Sequence, residues 1–237
     1  MSSARDDVLD RIRRASVGAH PAIIERRYRT SSPAALDALV ELLVDRLVDY
    51  RATVLRCASR DIALTIERVL RTTGVARVVV PADLAPDLVP AGLPVVRDHV
   101  DFPAATLDHG DLAAITTCAV AIAETGTLVL DGSAGQGRRM LTLVPDHHVC
   151  VVTLDRVVAT VPEAIARLDP RRPLTWISGP SATSDIELRR VEGVHGPRHL
   201  IVVIVDASEP AATSGAGEHD AARYTPDGRA PSSHEED

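Results

Sequence analysis

Lysine and asparagine are absent from this sequence, and all 26 basic side chains belong to arginine. Without lysine the chain can form no Schiff base, and it has neither a phosphate-binding lysine of the Walker type nor a Ser-Lys catalytic pair. Aromatic residues make up only 2% of the sequence, with Trp176 and Phe102 as the single Trp and Phe. We therefore expect a core built from Val, Leu, Ile and Ala.

Cysteine is also scarce. Cys57, Cys118 and Cys150 lie far apart within apolar runs and form no C-x-x-C pair. Because iron–sulfur clusters and structural zinc sites are usually held by paired cysteine motifs, we expect no metal or cofactor in this chain. We interpret the three thiols as buried core residues of a protein in the reducing cytosol.

Long apolar runs and concentrated positive charge are missing as well. No run approaches the roughly 18 residues that cross a bilayer, and the N-terminus lacks the pattern of a signal peptide. The net charge is −7, and the arginines are scattered, so there is no basic footprint for nucleic acid. We expect a cytoplasmic protein without membrane or nucleic-acid partners.

Helix and strand patterns alternate from about residue 52 onward, which predicts a three-layer α/β sandwich around a mixed, mainly parallel sheet. Short apolar runs between residues 112 and 153 indicate an antiparallel part or a β-rich insertion. We assign residues 1–32 to an N-terminal helix and arm, 33–206 to the main domain, and 207–237 to an acidic tail that we expect to be disordered. The arginines of the arm are interpreted as a solvated charge run.

Three local signals set element boundaries. Ser32-Pro33 predicts the start of a helix over residues 33–50, because serine caps a helix and proline suits its first turn. Ser59 and Gly74 bracket a second helix. A helical turn is predicted over residues 184–189.

Glu124 follows an apolar run and precedes Thr125-Gly126-Thr127. A carboxylate at a strand end can act as an acid, a base or a nucleophile when partial burial tunes it. The alternative is a structural turn in which Gly126 supplies a positive φ. The spacing leaves both readings open.

A second motif, Gly179-Pro180-Ser181-x-Thr183-x-Asp185, follows another strand and offers hydroxyls and backbone amides to an anion. A simple helix cap explains the same residues. His195 lies between two glycines and is either an acid–base candidate or an ordinary turn residue.

Two further motifs are weaker. Residues 132–137 are glycine-rich and precede Arg138-Arg139, so they either cradle an anion or form a mobile surface loop. His147-His148 lacks the companion ligands of a metal site, and strand alternation predicts one ring inside and the other outside.

Four blocks taken together resemble one known family. They are Ile122-Ala123-Glu124-Thr125-Gly126-Thr127, Leu143-Val144-Pro145-Asp146-His147-His148, the segment from Ser178 to Glu187, and Gly193-Val194-His195-Gly196-Pro197. Their order and spacing are similar to those of LUD-domain proteins, and more narrowly of the lactate utilization C group, over residues 30–206. The resemblance implies a Rossmann-like α/β/α fold like that of ribose-5-phosphate isomerase, glucosamine-phosphate deaminase and CoA-transferases.

The resemblance also implies a cluster-free role in the oxidation of L-lactate to pyruvate, with iron–sulfur clusters in two partners, lactate utilization proteins A and B. It leaves open whether this chain performs chemistry itself. The catalytic candidates are Glu124 and His195. The candidates for binding a small carboxylate substrate are Thr125, Gly126, Thr127, Gly179, Pro180, Ser181, Asp185 and Glu187.

Two alternatives remain at this stage. In the first, the chain is an independent enzyme or binder that acts on a sugar phosphate, a CoA thioester or a folate. In the second, it is a non-catalytic scaffold or regulatory subunit of an oxidoreductase complex. The first alternative rests on fold analogy, which does not fix function.

Overall fold

The computed structural model describes residues 3–18, 25, 27–184, 190–192, 196–206 and 223–224. Within these residues there are four α-helices: α1 (Ala4–Ala15), α2 (Leu36–Asp49), α3 (Ile62–Thr72) and α4 (Val161–Arg167). The strands of the same residues are β1 (Thr53–Ala58), β2 (Arg77–Val80), β3 (Val95–Arg97), β4 (Leu112–Thr117), β5 (Val120–Ile122), β6 (Thr127–Leu130), β7 (His147–Thr153), β8 (Val157–Val158), β9 (Thr175–Ile177), β10 (Ala182–Ser184), β11 (Arg190–Glu192), β12 (His199–Asp206) and β13 (Arg223–Tyr224).

The main sheet has the strand order β13-β1-β12-β7-β4-β2-β3. Its six strands from β1 to β3 are all parallel, and the two-residue β13 joins β1 antiparallel. Parallel strands buried on both faces need nearly continuous apolar runs, and β7 and β12 have them. The predicted α/β class with a mainly parallel sheet is confirmed.

Helices and a second sheet cover the two faces of the main sheet. Val78 and Val80 point toward α3, which packs there with Ile66 and Leu70. The opposite face packs against α2 and against strands of the second sheet in one hydrophobic cluster. The side chains alternate between these two clusters along β7 and β12, as the two-residue period requires. On β2 and β4 the alternate side chains Val79 and Ala114 pack instead with Leu107 and Leu141.

The second sheet is mixed and has the strand order β8-β5-β6-β9. β6 pairs antiparallel with both β5 and β9, while β8 pairs parallel with β5. These strands include the short runs from which the sequence predicted an antiparallel part or an insertion. The residues that face away from the main sheet pack against α4.

Two predicted helix starts are displaced. α2 begins at Leu36 after Ala35, whose side chain has no atom that could accept a capping hydrogen bond. Ser32 lies before the helix, where its hydroxyl accepts from Ala34 N–H at 3.3 Å and its backbone N–H donates to Glu163 Oε1 at 3.0 Å. Before α3, Ser59–Asp61 forms one 3₁₀ turn rather than a cap. Gly74, with φ +78°, ends α3 as predicted.

The predicted helical turn near residue 184 is wrong at its first residue, because Ser184 ends β10 and pairs with Arg190 of β11. Residues 185–189 lie outside the described part. The expected disorder of the tail stays a prediction, since only residues 223 and 224 of it are described, and they pair with β1. Among the described helices none combines the length and the apolar character needed to cross a membrane.

Candidate functional site

Glu124 lies in the tight turn between β5 and β6. Its backbone N–H donates to Ala159 O at 3.1 Å, which ties the turn to the segment before α4. Its side chain is 32% exposed, and its carboxylate accepts a hydrogen bond from Arg29 Nη2 of the N-terminal arm. The carboxylate is therefore only partly buried and is paired with a cation of the same chain.

A chain of three hydroxyl groups connects the first motif to the second. Thr125 Oγ1 lies 2.7 Å from Thr127 Oγ1, which lies 2.8 Å from Ser178 Oγ. Antiparallel pairing of β6 with β9 makes this contact possible, since Thr127 and Ser178 flank the paired Leu128 and Ile177. Thr127 is buried, whereas Ser178 is exposed, so the chain leads from the interior to the surface. We call Arg29, Glu124, Thr125, Thr127 and Ser178 the Glu124 cluster.

The glycines of both motifs pack against the C-terminal end of α2. A Cβ at Gly126 would lie 2.8 Å from Arg46 Cβ, and one at Gly179 would lie 2.8 Å from Tyr50 Cβ. Both glycines also have positive φ, +57° and +88°. Each glycine therefore has a packing role that any larger side chain would disturb.

The second motif continues toward the start of β12. The backbone N–H of Ser181 donates to Pro197 O at 2.8 Å, and a Cβ at Gly196 would lie 3.6 Å from Ser181 Cβ. Pro180 is half-buried between Gly179 and Ser181. The remaining predicted site residues, His195, Asp185 and Glu187, lie outside the described residues.

An open cleft of about 250 Å³ lies beside Gly196, at the amino ends of β4, β7 and β12. Arg198 Nε and Nη2 contact the two carboxylate oxygens of Asp146 there at 2.5 and 2.6 Å. Hydrogen bonds from Arg198, opposed by partial burial, hold the pKa of Asp146 below its usual value. The cleft is lined by Asp108, His109, Gly110, Leu143, Val144, Asp146, Gly196 and Arg198.

Two of the four sequence blocks thus reach this cleft, while Glu124 is not part of its lining. Ligands of α/β sheets usually bind at the carboxyl ends of the strands, and we predicted the two main motifs at such ends. The motifs instead follow β5 and β9, which belong to the second sheet, and they contact the end of α2 just before β1 begins. Both motifs therefore lie near the amino edge of the main sheet, and the single site that we predicted from them stays a prediction.

The glycine-rich segment fills the carboxyl edge. The connections that leave β2 and β4 run in opposite directions, and such a point is the usual ligand crevice. Here Gly135 O accepts from Thr117 N–H at 2.8 Å, and Gly135 N–H donates to Asp83 Oδ1 at 3.1 Å. The amides of Asp131 and Gly132 bind Gln136 Oε1, a side chain of the same loop, rather than an external anion.

Both histidines of the His147-His148 pair are buried, so the prediction of one exposed ring is wrong. They do point to opposite faces, but both faces are covered. His148 Nε2 lies 2.8 Å from Thr116 Oγ1, and burial lowers the pKa of His148 to about 4. His147 stacks on His199 with ring centres 4.3 Å apart, and burial lowers its pKa as well.

The cysteines are buried and free, as predicted. A hydrogen bond with Cys118, together with burial, raises the pKa of the Cys150 thiol. Such thiols are protonated and behave as core residues. Across the part of the chain that the structure describes, no group of three or more His, Cys, Asp or Glu side chains is placed to hold a metal ion.

Sequence reasoning missed Arg29 and Ser178 as members of the Glu124 cluster. Arg29 was taken as part of a solvated charge run, and nothing in the local pattern relates it to a carboxylate 95 residues later. Ser178 is the first residue after β9, and a serine at the end of a strand is too common to indicate a site by itself.

Comparison with known proteins places this architecture in a family. The model of the LUD domain matches residues 111–205, which include β4 to β9 and most of β12. A crystal structure of a DUF162 family protein from Deinococcus radiodurans superposes with a TM-score of 0.63 at 39% sequence identity, over 73% of this chain and 100% of that one.

The fold and the matched domain therefore define an α/β protein of the LUD-domain class. A lactate utilization protein C from Deinococcus radiodurans is 42% identical over 208 residues, which cover 86% of this chain and 96% of that protein. One from Bacillus subtilis strain 168 is 28% identical over 201 residues, 76% of this chain and 83% of the relative. The chain belongs to the lactate utilization protein C family.

Proposed function

We propose that this chain is a cluster-free subunit of a cytoplasmic system that oxidises L-lactate to pyruvate. The main support is the 42% identity that extends over 96% of a relative named lactate utilization protein C. The oxidation releases two electrons and two protons from each lactate. The cysteines here have no cluster-binding spacing, so the proposal assigns the electron-accepting iron–sulfur clusters to partners, lactate utilization proteins A and B.

Within this system we propose that the Glu124 cluster binds the small carboxylate substrate. Glu124 is the candidate that accepts a proton from a substrate hydroxyl, and His195 is the second acid–base candidate. The half-buried Thr125 and the exposed Ser178 offer hydroxyls at the two ends of the chain that Thr127 joins. The glycines and Pro180 shape the backbone around these groups, while Ser181, Asp185 and Glu187 stay binding candidates.

We also infer that the fold is the three-layer, Rossmann-like sandwich of the ribose-5-phosphate isomerase, glucosamine-phosphate deaminase and CoA-transferase group. The position of α3 on one face of the main sheet supports this inference, as does that of α2 on the other.

A non-catalytic scaffold or regulatory subunit is the second candidate. It is favoured by the packing of Gly126 and Gly179 on α2, which explains both motifs without any ligand. The two candidates differ in whether Glu124→Gln, which preserves shape, lowers lactate oxidation by the assembled system.

Affinity purification from cells grown on L-lactate tests the proposal. We expect the tagged chain to retain partner proteins and iron, and the eluate to reduce an artificial dye only when L-lactate is added. Recovery of the chain alone, without iron and without dye reduction, would contradict it.

A further inference from the structure

The segment that precedes α2 contacts the Glu124 cluster through Arg29. Residues 27–35, here called the strap, reach the Glu124 turn from outside the two sheets. The strap is fixed by Glu163, whose Oε1 accepts from Ser32 N–H at 3.0 Å while its Oε2 accepts from the N–H groups of Ala159 and Thr160 at 2.9 Å. Ala159 also accepts the hydrogen bond from Glu124 N–H. Glu163 and Ala159 therefore connect the strap to the turn.

Arg29 is the cation that the strap brings to the turn. It contacts Glu124 through one nitrogen and one carboxylate oxygen, although a guanidinium can hold a carboxylate through two parallel hydrogen bonds. Its side chain is 60% exposed. Arg46, the nearby arginine of α2, is paired with the adjacent Asp45 at 3.2 Å. In a chain without lysine, Arg29 is thus the cation best placed to receive an anion at this turn.

We propose that Arg29 is the carboxylate anchor of this site, and that the site takes a small 2-hydroxy or 2-oxo carboxylate. Glu124 then occupies the guanidinium when no ligand is bound, as an internal carboxylate. The ligand carboxylate replaces this contact with a two-point contact to Arg29, while Thr125 and Ser178 bind its oxygen at C2. The replacement frees Glu124 to face the substrate. This inference rests on the proposed function, because it names the residue that holds the substrate there.

Binding of L-lactate and pyruvate to the purified full chain, measured by titration calorimetry, tests the proposal. Arg29→Gln removes the charge, and Arg29→Lys keeps the charge but loses the planar fork. Arg27→Gln is the matched control, since Arg27 lies on the same strap and pairs only with Glu25 among the described residues. The uncharged analogue L-lactamide reports on the need for a carboxylate.

For each acid, we expect Arg27→Gln to bind with the same affinity as wild type. We expect Arg29→Gln to bind at least about tenfold more weakly, which is the loss typical of a charge-assisted contact. Arg29→Lys is expected between them, and L-lactamide is expected not to bind. Glu124→Gln is expected to bind the acids more tightly, because it removes the competing carboxylate.

Equal affinities of Arg29→Gln and Arg27→Gln would overturn the proposal, and so would a lack of binding to both wild type and Glu124→Gln. Because Glu163 fixes the strap independently of Arg29, the variants should retain the wild-type fold, which circular dichroism verifies. The result is independent of the purification experiment: a chain that binds carboxylates through Arg29 but recovers no iron-containing partner retains this inference and loses the proposed function.

Discussion

Gly126→Ala should destabilise the protein through a contact between the turn and α2. A methyl group there would lie 2.8 Å from Arg46 Cβ and 3.0 Å from the carbonyl carbon of Arg46. Overpacking of this kind costs about 1–3 kcal/mol, because helix backbone cannot move aside as a flexible side chain can. The positive φ of +57° adds about 1 kcal/mol for any residue with a Cβ. We therefore expect a loss of about 2–4 kcal/mol in the free energy of unfolding.

Gly74→Ala is the matched control for this measurement. Gly74 has a similar positive φ of +78°, but a Cβ there would meet nothing within 4 Å. The free energy of unfolding lost in Gly74→Ala should therefore come from the positive φ alone and amount to about 1 kcal/mol. Urea unfolding of both variants, followed by circular dichroism, gives the two free energies. A loss in Gly126→Ala no larger than that in Gly74→Ala would refute the packing account of the motif.

Two further predictions concern the buried histidine and the residue that holds the strap. Because burial lowers the folded-state pKa of His148 to about 4, the unfolded chain takes up the proton first as the pH falls. The free energy of unfolding should therefore be highest above pH 6.5 and decrease by up to about 3 kcal/mol toward pH 4. Urea unfolding across this range should show a smaller decrease for His148→Gln than for wild type. Equal pH dependences of the two proteins would contradict the prediction. For Glu163, burial tends to raise the pKa, but the N–H groups of Ser32, Thr160 and Ala159 stabilise the charged carboxylate and lower the pKa overall. Glu163→Ala should cost about 1–3 kcal/mol and speed tryptic cleavage after Arg29, with Glu163→Gln between it and wild type; unchanged cleavage in Glu163→Ala would show that the strap is held by other contacts.

Most of the fold could be predicted from local patterns. Strands such as β2, β4 and β6 are short apolar runs between turn residues, a pattern that leaves little choice of structure. The division into two sheets could not be predicted with the same certainty. β5 and β6 are buried on both faces, as β4 and β7 are, so all four have the same sequence pattern whichever sheet they join.

The candidate site itself stays a prediction. The strands before the two motifs, β5 and β9, lie where the sequence has apolar runs, and pairing of β6 with β9 brings Thr127 to Ser178. However, the pairing of Arg29 with Glu124 depends on where the chain places two residues 95 positions apart. The contacts of Gly135 with Thr117 and Asp83 at the carboxyl edge likewise join residues that lie far apart in the sequence.

Growth of the source organism on L-lactate tests the central claim most directly. The account predicts that deletion of the gene for this chain abolishes growth with L-lactate as the sole carbon source, while growth on pyruvate is unchanged and the wild-type gene restores growth on L-lactate. Normal growth on L-lactate after the deletion, in a strain without a second copy of the gene, would contradict the account.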